Sequence, residues 1–152
     1  MFVLYSILTY FVWAYIHEYS HLLVARKLVG VKSYEMKLYP HKSETLGFVF
    51  ASVSYVFKKQ RISLEERARI SFAPRIADSV AIIVFPFTSD LDLFWIILVG
   101  GGLVDTIRGS FIFSPTSDIK RYCDAWGLSY PHVRNAQLLL VGLSAVLFLL
   151  NY

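Results

Sequence analysis

The chain has 152 residues, the length of one domain. Hydrophobic residues make up 56% and charged residues 17%, against about 45–50% and about 25% in soluble domains, and a small domain has too little interior to hide the excess. This composition excludes disorder, the single Cys123 excludes a disulfide framework or a Cys-rich zinc module, and a net charge of +4 without a basic–aromatic patch gives no ground for nucleic-acid binding.

The sequence reads as an α-helical integral membrane protein, one domain over residues 1–152, with about four transmembrane helices and a small β-hairpin or sheet between helices 1 and 2. Residues 2–28 are apolar for long enough to span a hydrocarbon core of about 30 Å. No basic residue precedes Arg26, so the segment lacks the basic start of a signal peptide. Gly30 ends the helix. Residues 33–57 read as strands separated by a turn at Pro40-His41-Lys42-Ser43, rich in Val, Phe, Tyr and Ser after Leu46. Ser63-Leu64-Glu65-Glu66 matches a capping box, which opens a second span at residues 66–87 with Pro74 predicted to kink it. A third span is expected at residues 93–113, interrupted by Gly100-Gly101-Gly102, Asp105 and Arg108. A polar connection follows, and a short last apolar segment lies at residues 134–151.

Ten basic residues from Arg26 to Arg69 flank or fill the first connection, and Lys120, Arg121 and Arg134 lie in the third. The second carries only Asp90 and Asp92. With four spans, the positive-inside rule places the strand region in the cytoplasm and both termini outside.

His17-Glu18-Tyr19-Ser20-His21 is an HExxH motif. On a helix, imidazoles at i and i+4 share one face and converge on one ion, and the intervening Glu18 is placed as general base for a metal-activated water. Three ionisable groups inside an apolar helix are costly and so point to a site. A catalytic zinc takes three protein ligands and keeps one open position. His41 and His132, in polar connections, read as solvated. Asp105 lies about as deep in the third span as His17 in the first. Asp118 would be cytoplasmic if that helix ran straight, but Pro115 breaks it, and irregular backbone is tolerated at membrane depth beside a cavity.

The run His17-Glu18-Tyr19-Ser20-His21 to Gly30-Val31, the strands after it and Phe72-Ala73-Pro74 resemble the site-2 protease family of intramembrane zinc metalloproteases, over about residues 10–121. The family pattern has Gly-Pro and a following Asn in the second core helix, where this chain has Ala73-Pro74 and Asp78. In the family a Leu-Asp-Gly motif supplies the third ligand. The stretch from Ser110 through Pro115 to Asp118 is similar in spacing, with Ile119 replacing the Gly. The resemblance implies one Zn2+ held by His17, His21 and Asp118, with Asp105 as the rival ligand or a residue behind it. It also implies a zinc endopeptidase with Glu18 as the catalytic residue, acting in the lipid bilayer on a membrane-protein or peptide substrate.

Arg75 and Asp78, and likewise Asp105 and Arg108, stand three apart and read as intrahelical ion pairs. The glycines at 100–102 suit close helix packing, and Cys123 reads as inert. Two other functions are open to the same sequence: a non-catalytic zinc-binding adaptor of the same fold, and a metal-ion transporter, which would place ligands along a path rather than at one level.

Overall fold

The computed structural model describes residues 1–43, 47–111 and 118–152. Helix α1 (Phe2–Leu28) is followed by strands β1 (Val31–Lys37), β2 (His41–Ser43), β3 (Gly47–Val49) and β4 (Ser52–Phe57). Helices α2 (Leu64–Val84), α3 (Leu93–Phe111), α4 (Asp118–Trp126) and α5 (Tyr130–Asn151) complete the chain, with a 3-10 turn at Phe85–Phe87.

Local chemistry sets the element ends. Gly30, at φ 69, supplies the left-handed turn after α1. Ser63 accepts from the Glu66 amide while the Glu66 carboxylate accepts from the Ser63 amide, and this closes the capping box of α2. Pro131 sits in the first turn of α5, where a missing N–H costs nothing.

Among the described residues, three helical stretches are long and apolar enough to cross a membrane: Leu64–Phe87, Leu93–Phe111 and Tyr130–Asn151. The count is three rather than the expected four. Helix α1 covers the expected residues, but His17, Glu18, His21 and a series of tyrosines dilute its apolar character. One face of α1, from Ser6 through Tyr10 and Trp13 to His17 and His21, lines a cavity, while Leu4, Leu8, Phe11 and Leu23 lie exposed on the other side.

The expected hairpin or sheet between α1 and α2 is present as two small sheets. β1 pairs antiparallel with β4, and β2 with β3, as two separate two-stranded sheets. His41–Ser43, expected as a turn, is itself a strand, with His41 opposite Val49. The expected strand start at Leu46 and the break at Pro115 lie outside the described residues, as do the last two residues of the expected third span. Along β4, Val53, Tyr55 and Phe57 turn inward and Ser54 and Val56 outward, the alternation of a strand with one covered face. Tyr55 and Phe57 pack on Ala25, Val29 and Ile70, which ties the β1–β4 sheet to α1 and α2.

Two further differences lie near the C-terminus. The polar connection holds α4, whose Ile119 and Cys123 are fully buried and whose Tyr122 stacks on Phe72 of α2 at 4.1 Å. A polar mean hid the amphipathic spacing, because only one face of a nine-residue helix needs to be apolar. Helix α5 starts at Tyr130, earlier than its apolar run, and so gains the length of a span. It is fastened by Ser144 Oγ donating to the Ile82 carbonyl at 2.7 Å and by Tyr130 Oη donating to the Ser110 carbonyl at 3.0 Å.

The glycine run brings α3 against α1. The Trp13 ring lies across Gly101 and Gly102, with its Nε1–H donating to the Leu98 carbonyl at 2.5 Å. A Cβ on Gly101 would stand 2.3 Å from Trp13 Cδ1 and 2.7 Å from Thr9 Cγ2. Gly101→Ala should therefore cost about 1–3 kcal/mol by overpacking, read as a lower melting temperature in detergent. Gly142→Ala, with open space around its position, should not lower it. Equal melting of the two variants would contradict this packing.

Candidate metal centre

Two elements meet at one point. α1 presents His17 and His21 one turn apart, and α4 presents Asp118 as its first residue. Asp118 Oδ2 lies 3.4 Å from His17 Nε2 and 3.4 Å from His21 Nε2. The three donor atoms all fall within 4.8 Å of one another. Charge-assisted hydrogen bonds close to about 2.7–2.9 Å, so these contacts are too long to be well-made ion pairs. Two ligands at about 2.0–2.2 Å from a tetrahedral ion stand about 3.3–3.5 Å apart, which matches both edges.

The far side of each ring fixes its tautomer. His17 Nδ1 is 2.9 Å from Asp105 Oδ2, and His21 Nδ1 is 2.7 Å from the Ile70 carbonyl. A carboxylate and a carbonyl only accept, so both Nδ1 atoms carry a proton, and both Nε2 atoms face Asp118, the edge left to bind an ion. Metal-binding histidines are oriented in this way.

Asp105 thus stands at the Nδ1 edge of His17 and outside the cluster of three donor atoms. The depth estimate placed it at the right level, but the rotation of α3 turns its carboxylate to the Nδ1 edge. Arg108 Nη2 donates to Asp105 Oδ1 at 2.6 Å, and Arg75 Nη2 stands 3.6 Å from Oδ2. Arg75 Nη1 in turn donates to Asp78 Oδ2 at 2.6 Å, with both residues 3% exposed. Two guanidiniums and two carboxylates balance, which offsets the cost of burying them. Both expected intrahelical pairs are present. What spacing alone did not indicate is that Arg75 also reaches across from α2 to α3. Gly109 makes the room, since a Cβ there would lie 2.7 Å from Arg75 Nη2.

Glu18 is 8% exposed and meets the backbone amide of Val53, so β4 runs directly beside the motif. His17, Glu18, His21 and Asp118 line one cavity of about 980 Å³, which extends along α1 past Trp13 to Phe2. Tyr55, two residues along β4 from Val53, lines it too. Burial, and then the nearby Asp118 and Glu18 carboxylates, push its phenol up to about 12. Tyr55 thus remains a donor at neutral pH, and its hydroxyl bonds to none of the described residues.

The remaining candidates stay apart from this centre. His41 donates or accepts at both nitrogens within the strand region, to the Tyr39 carbonyl and to Ser52 Oγ, and His132 is exposed at the start of α5. Cys123 is buried, and burial pushes its thiol up, as suits an inert side chain. Ser110 is fully buried and donates to the Thr106 carbonyl at 2.8 Å, so it closes its own helix turn.

No protein-family model matches the chain, and comparison with curated proteins and with solved structures returns no match.

Proposed function

We propose that this protein is an intramembrane zinc metalloendopeptidase that hydrolyses peptide bonds in or near membrane-spanning segments. The observation that carries the reading is the pair of 3.4 Å edges from Asp118 to two imidazoles whose Nδ1 protons are already committed elsewhere. Two neutral imidazoles and one carboxylate form the donor set of a catalytic zinc, which leaves a position for water. The resemblance to site-2 proteases at HExxH agrees with it. Zinc bound by His17, His21 and Asp118 would supply Lewis acidity and lower the pKa of water toward about 7.

The chain's own groups divide the rest of the work. Glu18 takes a proton from the attacking water as its oxygen adds to the scissile carbonyl carbon, then passes that proton to the amine when the C–N bond breaks. Tyr55 faces the same cavity with an unused O–H, a donor for the charge that gathers on the carbonyl oxygen. Asp105 and the Ile70 carbonyl hold the imidazoles in place.

In this reading the basic first connection and its strands face the cytoplasm. The three apolar spans then place the C-terminus outside, and α1, 27 residues long and packed along α2 and α3, brings the N-terminus to the same side. The cavity beside α1 would admit a locally unwound segment of the substrate.

Purified protein in liposomes with a panel of single-span model polypeptides tests the reading, with fragments identified by mass spectrometry. Cleavage should disappear after chelation and return with stoichiometric zinc. Bound zinc without cleavage of any polypeptide would favour the non-catalytic adaptor, and cleavage unaffected by metal removal would exclude the zinc mechanism.

A further inference from the structure

Pro74 has a consequence for the metal centre beyond any bend in α2. Helix α2 runs from Leu64 to Val84 without a break at Pro74. In an α-helix the N–H of residue 74 would bond the carbonyl of residue 70. Proline has no N–H, and its ring crowds that carbonyl. The Ile70 carbonyl is thus deprived of its intrahelical donor at a site where Ile70 is 5% exposed, and a buried carbonyl without a partner is costly. The donor it receives instead is the Nδ1–H of His21, 2.7 Å away on α1.

We infer that Pro74 is a positioning residue for the metal centre: it releases the Ile70 carbonyl from α2 so that His21 is oriented with Nε2 toward the ion. The two imidazoles are then held by unlike devices. His17 has a carboxylate behind it, itself clamped by two arginines, while His21 has a neutral carbonyl released by a missing N–H. A carbonyl carries no charge, so orienting the second ring adds nothing to the buried charge balance. This depends on the metal-centre reading but not on peptidase activity.

The experiment compares Pro74→Ala with a chain carrying an α-hydroxy acid of alanine's shape at position 74. Alanine restores the N–H and removes the ring; the hydroxy acid removes the ring but offers no N–H. Zinc affinity is measured by competition with a chromogenic chelator, and the visible spectrum of the cobalt-loaded protein reports ligand geometry. With alanine at 74, the Ile70 carbonyl regains a helical donor, and affinity should fall at least about 10-fold with an altered cobalt spectrum. The hydroxy-acid chain should match the wild type in both. Wild-type affinity in Pro74→Ala would overturn the inference. Equal weakening of both chains would overturn it too, because the ring's packing and not the missing N–H would then matter. A wild type that holds neither zinc nor cobalt would overturn the metal-centre reading itself.

Discussion

Asp118→Asn is expected to leave the purified protein without metal, whereas Asp105→Asn keeps it at reduced affinity. The two residues differ in which edge of His17 they meet. Asp118 stands at the Nε2 edges of both rings, 3.4 Å from each, where a shared ion would be. An amide there supplies no charge and one weaker oxygen, so the site would have two neutral imidazoles to hold a dication. Asp105 stands at the Nδ1 edge. Asparagine at 105 can still accept the Nδ1–H through its amide oxygen, but Arg75 and Arg108 would lose a counter-charge, and net positive charge would remain beside the ion. Loss of a partner behind a ligand lowers metal affinity about 10–100-fold. Elemental analysis of the purified wild type, His17→Ala, Asp118→Asn and Asp105→Asn reads the first difference, and chelator competition the second. Metal retained in Asp118→Asn and lost in Asp105→Asn would make Asp105 the third ligand.

The parts of this site that lie within one helix were legible from the sequence; the parts made between elements were less so. HExxH places two rings on one face whatever surrounds the helix, and the Ser63 capping box needs only four consecutive residues. Both follow from helical spacing. The choice between Asp105 and Asp118 depends on how α3 is rotated about its axis and on where α4 begins, and neither is a local property. Depth counting gave the level of Asp105 correctly and could not give its direction. Pro74 was readable as a disturbance of α2, but the importance of a freed carbonyl comes only from the α1 ring that faces it. Tyr55 carried no sequence signal beyond strand alternation, since an aromatic residue on a covered strand face is ordinary. The span count failed for a related reason: several of the residues that make α1 a site wall, among them Tyr10, His17, Glu18 and His21, also lower its hydropathy. A helix can be packed among spans without being apolar enough to look like one.

Glu18→Gln should abolish peptide hydrolysis while leaving the metal in place. Glu18 is not one of the three residues whose donor atoms cluster, so the proposed ligand set does not include it. Its carboxylate meets the Val53 amide, and a glutamine oxygen can accept from the same N–H, which preserves the approach of β4 to α1. What glutamine cannot do is accept a proton from water and return it to the departing amine. General acid–base catalysis contributes about 10²–10⁴ in rate, and here one group serves both transfers, so cleavage should fall at least that far. Glu18→Asp keeps the chemistry but withdraws the carboxylate by about 1.5 Å, the length of one C–C bond. It should retain measurable turnover, which a misfolded site would not. Cleavage of the model polypeptides and zinc content, measured on the same preparations, make the comparison. Wild-type turnover in a zinc-loaded Glu18→Gln variant would remove Glu18 from the chemistry. Loss of zinc in that variant would instead make Glu18 part of the metal's own support, and HExxH in this chain would then serve binding before catalysis.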